Sequence, residues 1–170
     1  MNIKVDKAAV YKAAKELSNW GRWGAEDEIG TLNFIQPEDI VAAARLIRKG
    51  KVFALGIPVD KDGPQRGGDG RWNPIHTMLA TGTDAVSGMQ DDWNRCRYAD
   101  DAINMPVQSG THWDALGHIF LDDKMYNGFD AKLADSRGLQ KGAITASKDK
   151  MVGRGVLLDI ARYKGVDSLD

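Results

Sequence analysis

The eleven residues from Gln108 to His118, QSGTHWDALGH, hold two of the chain's three histidines with an aspartate between them. On an extended segment residues two apart share a face, so the imidazole of His112 and the carboxylate of Asp114 come together. His118 joins them only if the strand stops. Six extended residues span roughly 20 Å, whereas a helical turn begun near Asp114 puts position i+4 on the same face about 6 Å away. Ala115, Leu116 and Gly117 permit that turn. Gln108 lies about 13 Å upstream of His112 on a straight chain, and Gly110 is the residue that lets a bulge or kink bring it back. The segment is therefore predicted to run strand, kink, helix.

Residues of this kind at this spacing suit a divalent metal or acid–base chemistry, and they equally suit a hydrogen-bonded core histidine and a helix-capping aspartate. A carboxylate flanked by Trp113, Ala115 and Leu116 is costly to bury without a cation or hydrogen-bond donors. Trp113 itself projects to the opposite face of the strand and is expected to pack in the core.

The segment resembles the metal motif of the putative cyclase family, which includes kynurenine formamidase and isatin hydrolase and reads roughly His-x-Gly-Thr-His-x-Asp-x-x-x-His. Gly110, Thr111, His112, Asp114 and His118 match, while Gln108 stands where the family has its first histidine. NWGRWGAEDEIGTLNFIQPEDI (Asn19 to Ile40), RWNPIHTM (Arg71 to Met78), MYNG (Met125 to Gly128) and GRGVLLDIAR (Gly153 to Arg162) resemble one branch of the same family, so the likeness spans nearly the whole chain. It implies a swivelling β/β/α-type domain. It also implies a metal-dependent hydrolase of an amide-type carbon–nitrogen bond in an aryl formamide or cyclic amide.

On that reading Gln108, His112 and Asp114 are the metal ligands. His118 moves the proton, and Thr111 orients a ligand through a hydrogen bond. Trp23, Trp72 and His76, in loop-like or strand-edge segments, are candidates to line an aromatic pocket for a small-molecule substrate, and they equally suit structural roles. The ion is zinc or manganese, the amide of Gln108 suiting a harder ion than zinc. Members of the family continue well past the position of Asp170 and add a histidine and a glutamate near the metal. The chain is thus expected to be the N-terminal portion of such a protein, working as a homo-oligomer or with a complementing chain. The competing expectation is a non-catalytic or truncated domain with a partial site.

With 42% apolar and 28% charged residues, 170 positions suffice for one domain with a sizeable core. Charge is nearly balanced, 23 basic against 24 acidic side chains, and no basic stripe suggests nucleic acid. No apolar run reaches the twenty or so residues of a membrane span, and the expected setting is the cytoplasm. The lone Cys96 forms no internal disulfide. Its neighbours Arg95 and Arg97 favour a thiolate and His76 is a distant candidate base, but no nucleophile signature surrounds it, and a free surface thiol is the plainer expectation.

Periodicity predicts a mixed α/β (α+β) chain. Val10, Ala13, Ala14 and Leu17 give a helix with Asp6 as N-cap. Pro37, Glu38 and Asp39 open a second helix that runs to Lys49 and stops at Gly50. Strands are predicted at Lys51 to Val59, His76 to Thr81, Ile103 to Val107 and, as a buried strand, Gly155 to Ile160. Between them, Asp60 to Gly70 carries four glycines and is expected to be a mobile loop.

Overall fold

A computed structural model of the chain describes residues 5–91 and 96–169. Helices and short strands are mixed, as the sequence predicts. The chain divides into two compact units: Met1–Gly50 with Asp114–Asp170, and Lys51–Trp113.

In the first unit, helix α1 (Lys7–Glu16) begins where Asp6 accepts a hydrogen bond from the backbone N–H of Ala9 at 2.8 Å, the predicted cap. Tyr11 donates to Asp122 at 2.8 Å and ties the helix to the later chain. Helix α2 (Pro37–Ala44) opens with proline at its first turn and with Asp39 accepting from the N–H of Gln36 at 2.9 Å. It ends at Ala44, short of the expected Lys49. The N–H groups of Leu46 and Ile47 bond to the carbonyls of Ala43 and Ala44, three residues back, and this tighter turn uses up the helix's last acceptors. Gly50 then takes a left-handed φ of +59°.

The middle of this unit is built from turns. Asn127, itself at φ +62°, accepts from the N–H of Gly21 at 2.6 Å, and its amide donates to the carbonyls of Gly24, Ala25 and Asp27 at 3.0–3.1 Å. Asp27 accepts from Tyr126 (2.7 Å), Asn33 (2.6 Å) and the N–H of Gly30 (2.9 Å). Glu28 accepts from Lys141 at 3.0 Å and from the N–H of Gly142 at 2.7 Å. Met125, 1% exposed, is a buried apolar side chain of this unit. The two-residue strands β3 (Ala134–Asp135) and β4 (Gly138–Leu139) pair antiparallel, and helix α4 (Ile160–Lys164) closes the unit, capped by Asp159.

In the second unit, β1 (Ile75–Ala80) and β2 (Asp100–Asn104) form an antiparallel pair with an irregularity at Leu79. Between them lies α3 (Gly82–Val86), where Asp84 and Thr81 cap each other reciprocally. Strand β2 sits upstream of the expected Ile103 to Val107, because Pro106 has no N–H to continue the ladder. The glycine-rich stretch is stitched by side chains: Asn73 accepts from the N–H of Gln65 at 2.8 Å and donates to its carbonyl at 3.2 Å.

Two predicted strands do not form. Residues 51–59 and 155–159 join no ladder or bridge, and their apolar side chains stand open, Val52 at 90% and Leu157 at 86% exposure. A strand needs a neighbour to take its N–H and C=O groups, and no strand pairs with either segment among the described residues. Gly155 to Ile160 instead leads irregularly into α4.

Candidate metal centre

Gln108 to Trp113 closes the second unit, a few residues after β2. The carbonyl of Gln108 accepts from the side-chain amide of Gln65 at 2.7 Å, and the buried Ser109 donates its hydroxyl to the carbonyl of Trp72 at 3.0 Å. These bonds hold the chain in a turn and bend through Gly110, the kink that the glycine foretold. Thr111 accepts from the N–H of Ile57 at 3.0 Å and so secures residues 51–59, keeping its own hydroxyl proton as a donor.

Nδ1 of His112 lies 2.6 Å from the carbonyl oxygen of Gly110. A carbonyl only accepts, so Nδ1 carries the proton, and in the neutral ring Nε2 carries the lone pair. That is the tautomer a metal-ligating or base imidazole uses.

The unit boundary falls between Trp113 and Asp114. Trp113 is 69% exposed and does not pack in a core: the chain here belongs to no sheet, so there is no covered opposite face for it to enter.

Asp114 to His118 belongs to the first unit. Instead of a helix it makes one turn, with the N–H of His118 donating to the carbonyl of Ala115 at 3.0 Å. The N–H of Gly117 leaves the turn altogether and bonds to the carbonyl of Gly142 at 3.0 Å. Gly117 is forced by this approach, since a Cβ there would sit 2.6 Å from Leu139 Cδ2 and 2.9 Å from the carbonyl oxygen of Lys141.

The site residues named from the sequence are thus divided. Trp72, His76, Gln108, Thr111 and His112 lie in the second unit, and Trp23, Asp114 and His118 in the first. His112, Asp114 and His118 are all exposed. Among the described residues no group of three or more His, Cys, Asp or Glu side chains is gathered to hold a metal ion.

His76 on β1 pairs with Asp101 on β2, Nε2 to Oδ2 at 2.7 Å, diagonally across the register that sets His76 opposite Ile103. Trp23 stacks edge-on to Phe34 with ring centres 5.1 Å apart, and the guanidinium of Arg22 lies 5.4 Å and 4.9 Å from the two rings. Cys96 is exposed, while Arg95 lies outside the described residues.

Sequence reasoning missed Ser109, Asp101 and Arg22. Asp101 becomes visible only once the strand register is known. Ser109 lies inside the motif, but its partner is a backbone carbonyl that no residue pattern encodes.

Partial burial pushes the carboxyl of Asp27 up, yet hydrogen bonds from Tyr126, Asn33, Gly30 and Ile29 together hold it below the usual carboxylate range. Burial first, and then the bond to Asp27, raise the phenol of Tyr126 well above its ordinary value. No helix among the described residues is long and apolar enough to cross a membrane.

Residues 53–169, more than half of the chain, match the family model described as "Putative cyclase". The chain is also similar to a solved structure described as a crystal structure of a novel cyclase, with 46% sequence identity and a TM-score of 0.82 over 89% of this chain. It spans about half of that protein's length, 51%. No curated protein matches it. Motif, fold and family model agree, and the chain belongs to the putative cyclase family.

Proposed function

We propose that the chain carries the metal-binding motif of a hydrolase that cleaves an amide-type carbon–nitrogen bond, in an aryl formamide or a cyclic amide. The observation that carries this reading is the His112 tautomer. Inside a segment that resembles the family's metal motif, the carbonyl of Gly110 fixes the proton on Nδ1, and Nε2 would be the nitrogen that ligates an ion. One imidazole nitrogen, one carboxylate and one amide oxygen form a donor set that suits zinc or manganese. His112, Asp114 and Gln108 would hold the ion.

A divalent ion bound there supplies Lewis acidity toward water and toward the substrate carbonyl. His118 would accept a proton from the attacking water and deliver it to the departing nitrogen, a task suited to imidazole near neutral pH. Thr111 would orient the motif, since its oxygen holds the N–H of Ile57 while its hydroxyl proton is available to a neighbour. Trp72, fixed through its carbonyl to Ser109, would offer an aromatic face to the substrate. Trp23 and His76 are proposed as further substrate contacts, in a cytoplasmic protein working as a homo-oligomer or with a complementing chain.

Elemental analysis of protein purified without chelator is the test. Near-stoichiometric zinc or manganese is expected in the unaltered protein and is lost in His112→Ala, together with formamide or cyclic-amide hydrolysis. Full metal retention in His112→Ala would sink the assignment.

A second reading, in which the chain holds a partial site that another polypeptide completes, is favoured by its 51% span of the related cyclase. It predicts metal uptake only after the complementing polypeptide is added.

A further inference from the structure

The turn that carries His118 is held from two sides by residues 28–30 of the same unit. On one side Leu116 packs against Gly30, its Cδ1 3.2 Å from where a Cβ on that glycine would stand. On the other, the N–H of Gly117 donates to the carbonyl of Gly142 at 3.0 Å, and the N–H of Gly142 donates to Glu28 Oε2 at 2.7 Å. Two hydrogen bonds therefore lead from the Glu28 carboxylate to the residue before His118.

Each link is closely set. Gly117 and Gly142 are both buried and stand backbone to backbone: a Cβ on Gly142 would lie 3.1 Å from the nitrogen of Gly117. Peptide groups between buried glycines have little access to water, so a lost bond there leaves a polar group unsatisfied. The Glu28 side chain is only 26% exposed and uses both oxygens, Oε2 on Gly142 and Oε1 on the ammonium of Lys141 at 3.0 Å. A carboxylate that accepts a backbone N–H makes a strong, charge-assisted hydrogen bond. Lys141 adjoins Gly142, so Glu28 holds the same loop twice.

The N–H of His118 closes the turn on the carbonyl of Ala115 at 3.0 Å. His118 thus takes its place from Gly117, and Gly117 from Gly142. We infer that Glu28 is a positioning residue for His118, acting through Gly142 and Gly117. The inference rests on the proposed role of His118 in proton transfer. A general base must lie within hydrogen-bond reach of the proton it takes, and a displacement of about 1 Å can lower turnover about a hundredfold.

Two measurements test it, one of them independent of turnover. By NMR, Glu28→Ala is expected to speed amide exchange at Gly117 about tenfold or more and to move the imidazole signals of His118. Glu28→Gln, whose amide oxygen can still accept from Gly142, stays closer to the unaltered protein. In hydrolysis, Glu28→Ala is expected to lower kcat about tenfold or more with KM and bound metal unchanged, and Glu28→Gln to recover most of that loss. In a His118→Ala background the same alanine change should cost less than about twofold, because a residue that acts through His118 has nothing left to position. Glu28→Asp, which draws the carboxylate back by one methylene, gives the same readings where the alanine variant does not fold. Gly117 exchange and His118 signals that ignore the loss of the carboxylate would overturn the proposal, as would an equal loss of kcat with and without His118. Absence of hydrolysis in the unaltered protein would count against the hydrolase reading alone, and the NMR comparison would still decide whether Glu28 places His118.

Discussion

Within the first unit, Asn19–Phe34 and Gly155–Asp159 reach their conformations by opposite means. The earlier stretch is rich in glycine and charge and makes only short turns, yet its path is fixed from several directions by Asn127, Asp27 and Tyr126. The later stretch is the more regular in pattern, and it has neither a ladder nor a cover. Directional bonds from side chain to backbone complete themselves within this unit. An apolar strand cannot, because its stability resides in neighbours.

The sharpest way to break that contrast is to remove its central amide. Asn127→Ala loses one accepted and three donated hydrogen bonds and puts a Cβ without a compensating side-chain bond at φ +62°. The expected cost is about 2–4 kcal/mol, discounted for water reaching the freed groups. Asn127→Gly, which accepts that φ readily, is expected to recover about 0.5–1 kcal/mol of it. Urea denaturation of the three proteins measures both. A loss below about 1 kcal/mol for the alanine variant would mean that the turn region is no better fixed than the open segment.

Tyr126→Phe is a smaller cut into the same lattice, about 1 kcal/mol near neutral pH for one hydrogen bond to a carboxylate that is partly open to water. Its pH dependence carries a sign. The carboxyl of Asp27 is held below its ordinary 3.8, so its contribution is complete above that value and is lost as pH falls through the lower, folded one. The penalty of Tyr126→Phe should therefore shrink on acidification below about pH 4. The phenol is shifted the other way, and its contribution is complete below the ordinary 10.0 and is lost in stronger alkali. Thermal melts across this range give the comparison. A penalty constant from neutrality into acid would dissociate Tyr126 from Asp27.

What the sequence made legible follows the same division. The Asp6 cap and the Pro37 start were readable because each rests on residues adjacent in the chain, and β1 and the bend at Gly110 were readable from local pattern although β2, Gln65 and Trp72 complete them. The motif itself was legible, and with it the family. The turn at Gly117 was not, because its N–H is taken by Gly142, twenty-five residues on. Asp101 beside His76 and the four bonds of Asn127 likewise depend on approaches that no periodicity encodes. Apolar patterning did identify residues 51–59 and 155–159 as strand-like, but a pattern specifies which faces need covering and not whether a cover is present.

Leu157→Ser gives the smallest expected effect, and it sharpens the contrast by being small. A side chain 86% exposed gives up little apolar burial when shortened, so the stability of the chain by urea denaturation should change by no more than about 0.5 kcal/mol. In a covered strand the same change would cost about 2–4 kcal/mol, through lost transfer energy, the cavity left behind and an unpaired hydroxyl. The two regimes differ by more than the error of the measurement. A cost in the upper range would place Leu157 under a cover made by the chain itself, and Gly155–Asp159 would then be as self-contained as the turns around Asn127. A negligible cost keeps the segment's apolar pattern as a demand met from outside these residues.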